Sequence, residues 1–99
     1  MDRLMRYAAR VDANQSDIVA ALRQAGASVW IIGLPVDLLV GYAGRTALVE
    51  VKTTTGKREP KPSKHTQLQK DFMLDWRGST VATVTDADGA LRVLRVMAE

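Results

Sequence analysis

Apolar positions in "NQSDIVAALRQAG" fall at Ile18, Val19, Leu22 and Ala25, the three-to-four spacing of one helix face. Asn14 stands before them as a cap, Asp17 follows in the favoured first turn, and Gly26 supplies the stop. "SVWIIG" is β-branched and aromatic and reads as a strand closed by Gly33, with Trp30 in the core or an interface. "VDLLVGY" and "RTALVEVK" read as two further strands joined by a tight turn at Ala43-Gly44. "TTTGKREPKPS" has two prolines and no apolar periodicity, as expected of a mobile loop. Helical spacing returns in "SKHTQLQKDFMLDWRG", where Leu68, Phe72 and Trp76 are expected in the core and Gly78 ends the helix. "STVATVT" alternates as a strand, "DADG" turns, and "ALRVLRVM" reads as a last strand. The predicted order is α-β-β-β-α-β-β, a mixed sheet flanked by helices in one domain spanning residues 1–99. Residues 1–12 form an arm or a short helix, and 53–64 a mobile basic loop.

Charges interrupt this pattern where they cost most. With Ala43 and Gly44 as the hairpin turn, Tyr42 faces Arg45, and counting back sets Asp37 opposite Glu50. Alternation then puts Asp37, Leu39, Leu48, Glu50 and Lys52 on one face. Val36, Leu38, Val40, Ala47, Val49 and Val51 take the other, the core face. Two facing carboxylates destabilise a strand pair unless something compensates. Mg²⁺, with Mn²⁺ as its substitute, does so through hard oxygen ligands. Lys52 lands beside the same place. A divalent cation, a water and an ammonium together suit phosphodiester hydrolysis. The plainer alternative is an Asp37 that opens its strand in solvent and a surface ion pair between Glu50 and Lys52.

Composition narrows the choice. The chain has 99 residues, 46% hydrophobic and 25% charged, which suits one compact domain. It has no cysteine and one histidine, so thiolate chemistry is excluded and a zinc site is not expected. The net charge of +3 is concentrated: Lys57, Arg58, Lys61, Lys64 and Lys70 stand against Glu59 alone between residues 57 and 70. Such a cluster beside a phosphodiester site is suited to holding a nucleic acid backbone. "MDRLMRYAAR" lacks the apolar core of a signal peptide and no run reaches a membrane span, so a soluble, cytoplasmic protein is expected.

An aspartate opening one strand and Glu-x-Lys on its hairpin partner resemble the PD-(D/E)xK nuclease superfamily. "VDANQSDIVAALRQAGASVW" and "PVDLLVGYAGRTALVEVKTTTG" resemble in particular its small, often phage-encoded, VRR-NUC-like members. The likeness covers about Val11 to Trp76. Val36 stands between Pro35 and Asp37, where the signature's proline directly precedes the aspartate. The resemblance implies a restriction-endonuclease-like fold, with Asp37, Glu50 and the Val51 carbonyl as metal ligands and Lys52 as the catalytic lysine. It implies a Mg²⁺-dependent DNA endonuclease, selective for branched or junction DNA as in repair or recombination, and working as a homodimer. The arm and the exposed last strand are the expected dimer surfaces.

Asp17 reads either as a helix-dipole residue or, by the resemblance, as an outer carboxylate of the site. Gln69 reads either as a solvated helix residue or as a support for the site, and His65 as a loop residue. Two other classes remain open. One is a catalytically silent nucleic-acid-binding module of the same fold. The other is a protein-interaction domain with these charges as surface decoration.

Overall fold

The computed structural model describes residues 13–53 and 64–99. Helix α1 (Ala13–Gln24) leads into strand β1 (Ser28–Ile31), then β2 (Leu38–Tyr42) and β3 (Arg45–Val51). Helix α2 (Lys64–Asp75), strand β4 (Ala82–Val84) and helix α3 (Ala87–Ala98) complete the chain. The sheet order is β1-β2-β3-β4, with β1, β2 and β3 antiparallel and β3 parallel to β4. The fold is therefore α/β, a four-stranded mixed sheet flanked by helices.

The hairpin forms at the expected turn. Ala43 and Gly44 both have positive φ, 54° and 74°, the pairing a two-residue type I′ turn requires. That turn fixes Tyr42 opposite Arg45 and Leu38 opposite Val49. Gly26, at φ 100°, ends α1 as expected: its N–H bonds the Arg23 carbonyl and the next N–H bonds the Leu22 carbonyl.

One face of the sheet is the core. Leu38, Val40 and Val49 are buried there beneath Ile18 and Leu22 of α1 and Leu94 of α3. Asp37 and Leu39 fall on the other face by alternation, and Leu39 is exposed. Burying apolar area on one side alone holds the register, because a one-residue slip would exchange the two faces.

The last element departs from expectation. "ALRVLRVM" is helix, not strand, so the order is α-β-β-β-α-β-α. Its short apolar run fits both periods, and two local features decide. Ala90, Leu94 and Met97 form a buried stripe at helical spacing. Asp86 caps the helix, its Oδ1 accepting from the Gly89 N–H at 2.8 Å, so "DADG" starts a helix where a strand turn was expected. With α3 packed on the core, an exposed last strand is not there to serve as a dimer surface.

The expected core stripe of α2 is also corrected. Leu68 is 53% and Trp76 43% exposed, and Phe72 is half-buried. Phe72 and Trp76 stack on each other at 5.1 Å, and the Trp76 indole donates to the Ser79 carbonyl at 2.7 Å. An open cleft of about 530 Å³ lies between the helix and the β1–β2 connection, lined by Leu34, Pro35, Leu68 and Phe72 with Asp71 and Asp75. Trp30 is not core: it is 69% exposed on edge strand β1.

Candidate metal and phosphodiester site

Asp37 sits one residue before β2 and is held from three sides. The N–H groups of Ile32 and Gly33 donate to its backbone carbonyl at 2.9 and 3.2 Å. Its Oδ2 accepts from the Val51 N–H at 2.7 Å. Val36 and Leu38, its sequence neighbours, are buried on the opposite face at 1% and 0% exposure. A carboxylate between two core residues, taking the place of a strand partner, closes the β2–β3 ladder one step beyond its last residue pair.

The Val51 N–H points toward Asp37 because it belongs to the β2 side of the strand. In an extended strand one residue's N–H and C=O point to the same side, so the Val51 carbonyl faces that side too. The next residue reverses direction: the Lys52 N–H donates to the Val84 carbonyl of β4 at 2.9 Å.

Glu50 lies between. Its side chain is only 13% exposed, its Oε2 is 3.6 Å from Lys52 Nζ, and its Oε1 is buried with no hydrogen-bond partner among the described residues. Burial pushes the Glu50 carboxyl above its ordinary range; the charge of Asp37 pushes the same way, and Lys52 pulls back. The two carboxylates thus meet as the hairpin register requires. Lys52 is 61% exposed and offsets them only in part. Thr83 of β4 is in register with Glu50 and shares its face, a hydroxyl that the weak alternation of "STVATVT" did not single out.

This donor set suits a hard cation. It offers an orphaned, nearly buried carboxylate oxygen, the Asp37 oxygen that no described backbone group occupies, and a carbonyl on the same side. Among the described residues no three His, Cys, Asp or Glu side chains gather as a metal cluster. Two carboxylates, a carbonyl and waters are nevertheless an ordinary set for Mg²⁺, which keeps part of its hydration shell.

Among the described residues, no hydrogen bond or ion pair ties Asp17, Gln69 or Lys70 to this place. Asp17 is exposed in α1, makes no hydrogen bond or ion pair with a described residue, and lies past the first turn. Gln69 is half-buried on α2, and its neighbour Gln67 is the one that bonds, to Asp71 at 2.9 Å. Lys70 is exposed on α2, and Lys64 opens that helix, followed by His65. Lys57, Arg58, Lys61, most of the basic loop and the arm 1–12 lie outside the described residues. Asn14 is not a cap. It lies within α1, and its amide reaches the strand ends, donating to the carbonyls of Lys52 at 3.0 Å and Thr85 at 3.4 Å.

No protein-family model, curated protein or solved structure matches this chain.

A stability measurement checks the electrostatics of the pair. A glutamate whose folded pKa lies above its unfolded value binds more protons when folded, so stability falls as pH rises from the unfolded pKa through the folded one. Metal-free Glu50→Gln is therefore expected to be more stable than the parent at neutral pH, by on the order of 1 kcal/mol. The gain should vanish below about pH 4, where glutamate is protonated in both states. Urea unfolding midpoints across pH 4 to 8 measure this. A gain that did not depend on pH would place the burden on Glu50 elsewhere.

Proposed function

We propose that this chain is a Mg²⁺-dependent DNA endonuclease of the PD-(D/E)xK type, selective for branched or junction DNA and acting as a homodimer. The observation that carries the reading is the unpartnered, buried Oε1 of Glu50 beside Asp37, with the Lys52 ammonium at the same place. A buried polar atom left without a partner costs free energy, and two adjacent carboxylates add to the cost. A site that spends stability in this way fits a ligand better than a surface ion pair does.

Asp37, Glu50 and the Val51 carbonyl would hold the cation. Bound there, Mg²⁺ would shield the charge of the scissile phosphate and make a water acidic enough to attack it. The protein's own part is positional. Asp37 keeps one oxygen on the Val51 N–H and so fixes the spacing of the two strands. Glu50 lies where water is largely excluded, which strengthens its interaction with positive charge. Lys52 places an ammonium at the mouth of the site, exposed enough to meet a phosphate oxygen and to stabilise charge that develops on it. Two copies related by a two-fold axis would match a two-fold junction.

The test is cleavage by the purified chain of single-stranded, duplex, flap and four-way DNA, with Mg²⁺ and with chelator. Metal-dependent cutting, strongest on branched substrates, is the expected outcome. Binding without any cutting would favour a silent nucleic-acid-binding module.

The basic residues after β3 make a separate prediction. Each neutralised phosphate contributes a slope of about −0.9 to log affinity against log salt. Replacing Lys57, Arg58, Lys61 and Lys64 by alanine should weaken binding to every DNA alike and flatten the slope by up to about 3.6. Fluorescence anisotropy over a salt series measures both. An unchanged slope would send the DNA path elsewhere.

A further inference from the structure

We infer that Asn14 is a positioning residue for Lys52, fixing the lysine's backbone from the far side of the sheet; this rests on the nuclease reading of Lys52. Lys52 lies one residue beyond the end of β3, where no strand partner continues on the β2 side. Its side chain is 61% exposed and meets Glu50 at 3.6 Å, so packing contributes little to its aim. Its direction therefore depends on how its peptide groups are held.

Those groups are held on both flanks. The Lys52 N–H goes to the Val84 carbonyl at 2.9 Å, and its carbonyl accepts from Asn14 Nδ2 at 3.0 Å. The same Nδ2 donates to the Thr85 carbonyl at 3.4 Å. Val51 and Val84 are in register in the parallel pair, so Lys52 and Thr85 are equivalent positions just past the two strand ends. Asn14 therefore ties two neighbouring carbonyls that the sheet leaves without ladder partners.

The residue type follows from the chemistry. Two acceptors need two donors from one short side chain, and a primary amide supplies both hydrogens on one nitrogen. An aspartate of the same size would face both carbonyls with acceptors only, and an alanine would leave them unbridged. Asn14 touches neither carboxylate of the site by hydrogen bond, so its effect passes through the aim of Lys52 and leaves the metal ligands in place.

The test compares the parent with Asn14→Asp and Asn14→Ala, using amide hydrogen exchange read residue by residue and single-turnover cleavage. In both variants the Lys52 N–H should exchange at least about tenfold faster, while amides at Val40 and Val49 keep their protection. The cleavage rate constant should fall about tenfold, with DNA affinity and Mg²⁺ affinity within twofold of the parent. Lys52 exchange unchanged in both variants overturns the proposal. So does cleavage within twofold of an active parent. Loss of protection spread through β2 and β3 makes Asn14 a general structural residue and also overturns it. A parent that cuts no DNA fails the nuclease reading instead, and the Lys52 exchange rate then judges the backbone clamp on its own.

Discussion

Replacing Asp37 by asparagine is expected to abolish Mg²⁺-dependent DNA cleavage while leaving the fold at least as stable as before. A catalytic cation is worth several kcal/mol of transition-state stabilisation, and about 4 kcal/mol is roughly a thousandfold in rate. The asparagine carbonyl can still accept from the Val51 N–H, so the closure of the β2–β3 ladder survives. The charge beside Glu50 disappears, which removes one of the causes that raise the Glu50 carboxyl. These opposite effects on activity and stability distinguish a metal ligand from a structural carboxylate, whose loss would lower both. Initial rates on a four-way junction, together with a urea unfolding curve, measure them; retained cleavage in the variant would remove Asp37 from the site.

Lys52→Ala is expected to lower turnover by at least about 100-fold with DNA affinity nearly unchanged. That is the scale of a lost electrostatic or acid–base group acting at the transition state. One exposed lysine contributes little to ground-state binding, since a single phosphate contact changes the salt slope by only about 0.9. The measurement is a single-turnover rate at saturating protein beside an equilibrium binding curve. Weakened binding with unchanged turnover would make Lys52 an ordinary phosphate contact. The variant should also leave Glu50 with its raised carboxyl pushed higher, because Lys52 is the group that pulls it down.

The sheet around the site was legible because its residues state their register twice. Ala43-Gly44 fits only a tight two-residue turn, and the valines and leucines on either side allow only one alignment that buries a single face. From that alignment the meeting of Asp37 and Glu50 followed by counting. The last helix was not legible, since "ALRVLRVM" has apolar residues at both two- and four-residue spacing. What decided it was the Asp86 cap and the burial of Leu94 and Met97 against α1, a tertiary contact no local window contains. The α2 stripe misled for the opposite reason. Leu68, Phe72 and Trp76 have the spacing of a buried face, yet the two aromatic rings stack on each other and Leu68 and Trp76 stay exposed.

Asn14 shows how a local reading can be right about chemistry and wrong about partner. An asparagine before an amphipathic run is a good cap because its side chain satisfies backbone groups. Here it satisfies backbone groups 38 and 71 residues away, at the ends of β3 and β4. Asp17 carries the reverse lesson. Its spacing suggested the first turn, but the helix begins at Ala13 and leaves it exposed beyond that turn.

Mg²⁺ titration calorimetry on the parent chain and on Glu50→Gln, at neutral pH and without DNA, measures whether this carboxylate pair holds a metal. One site per chain is expected in the parent, weakened at least tenfold or lost in Glu50→Gln while the variant stays folded. Parent and variant binding Mg²⁺ equally, or neither binding it at all, would contradict the assignment of this carboxylate pair to a metal.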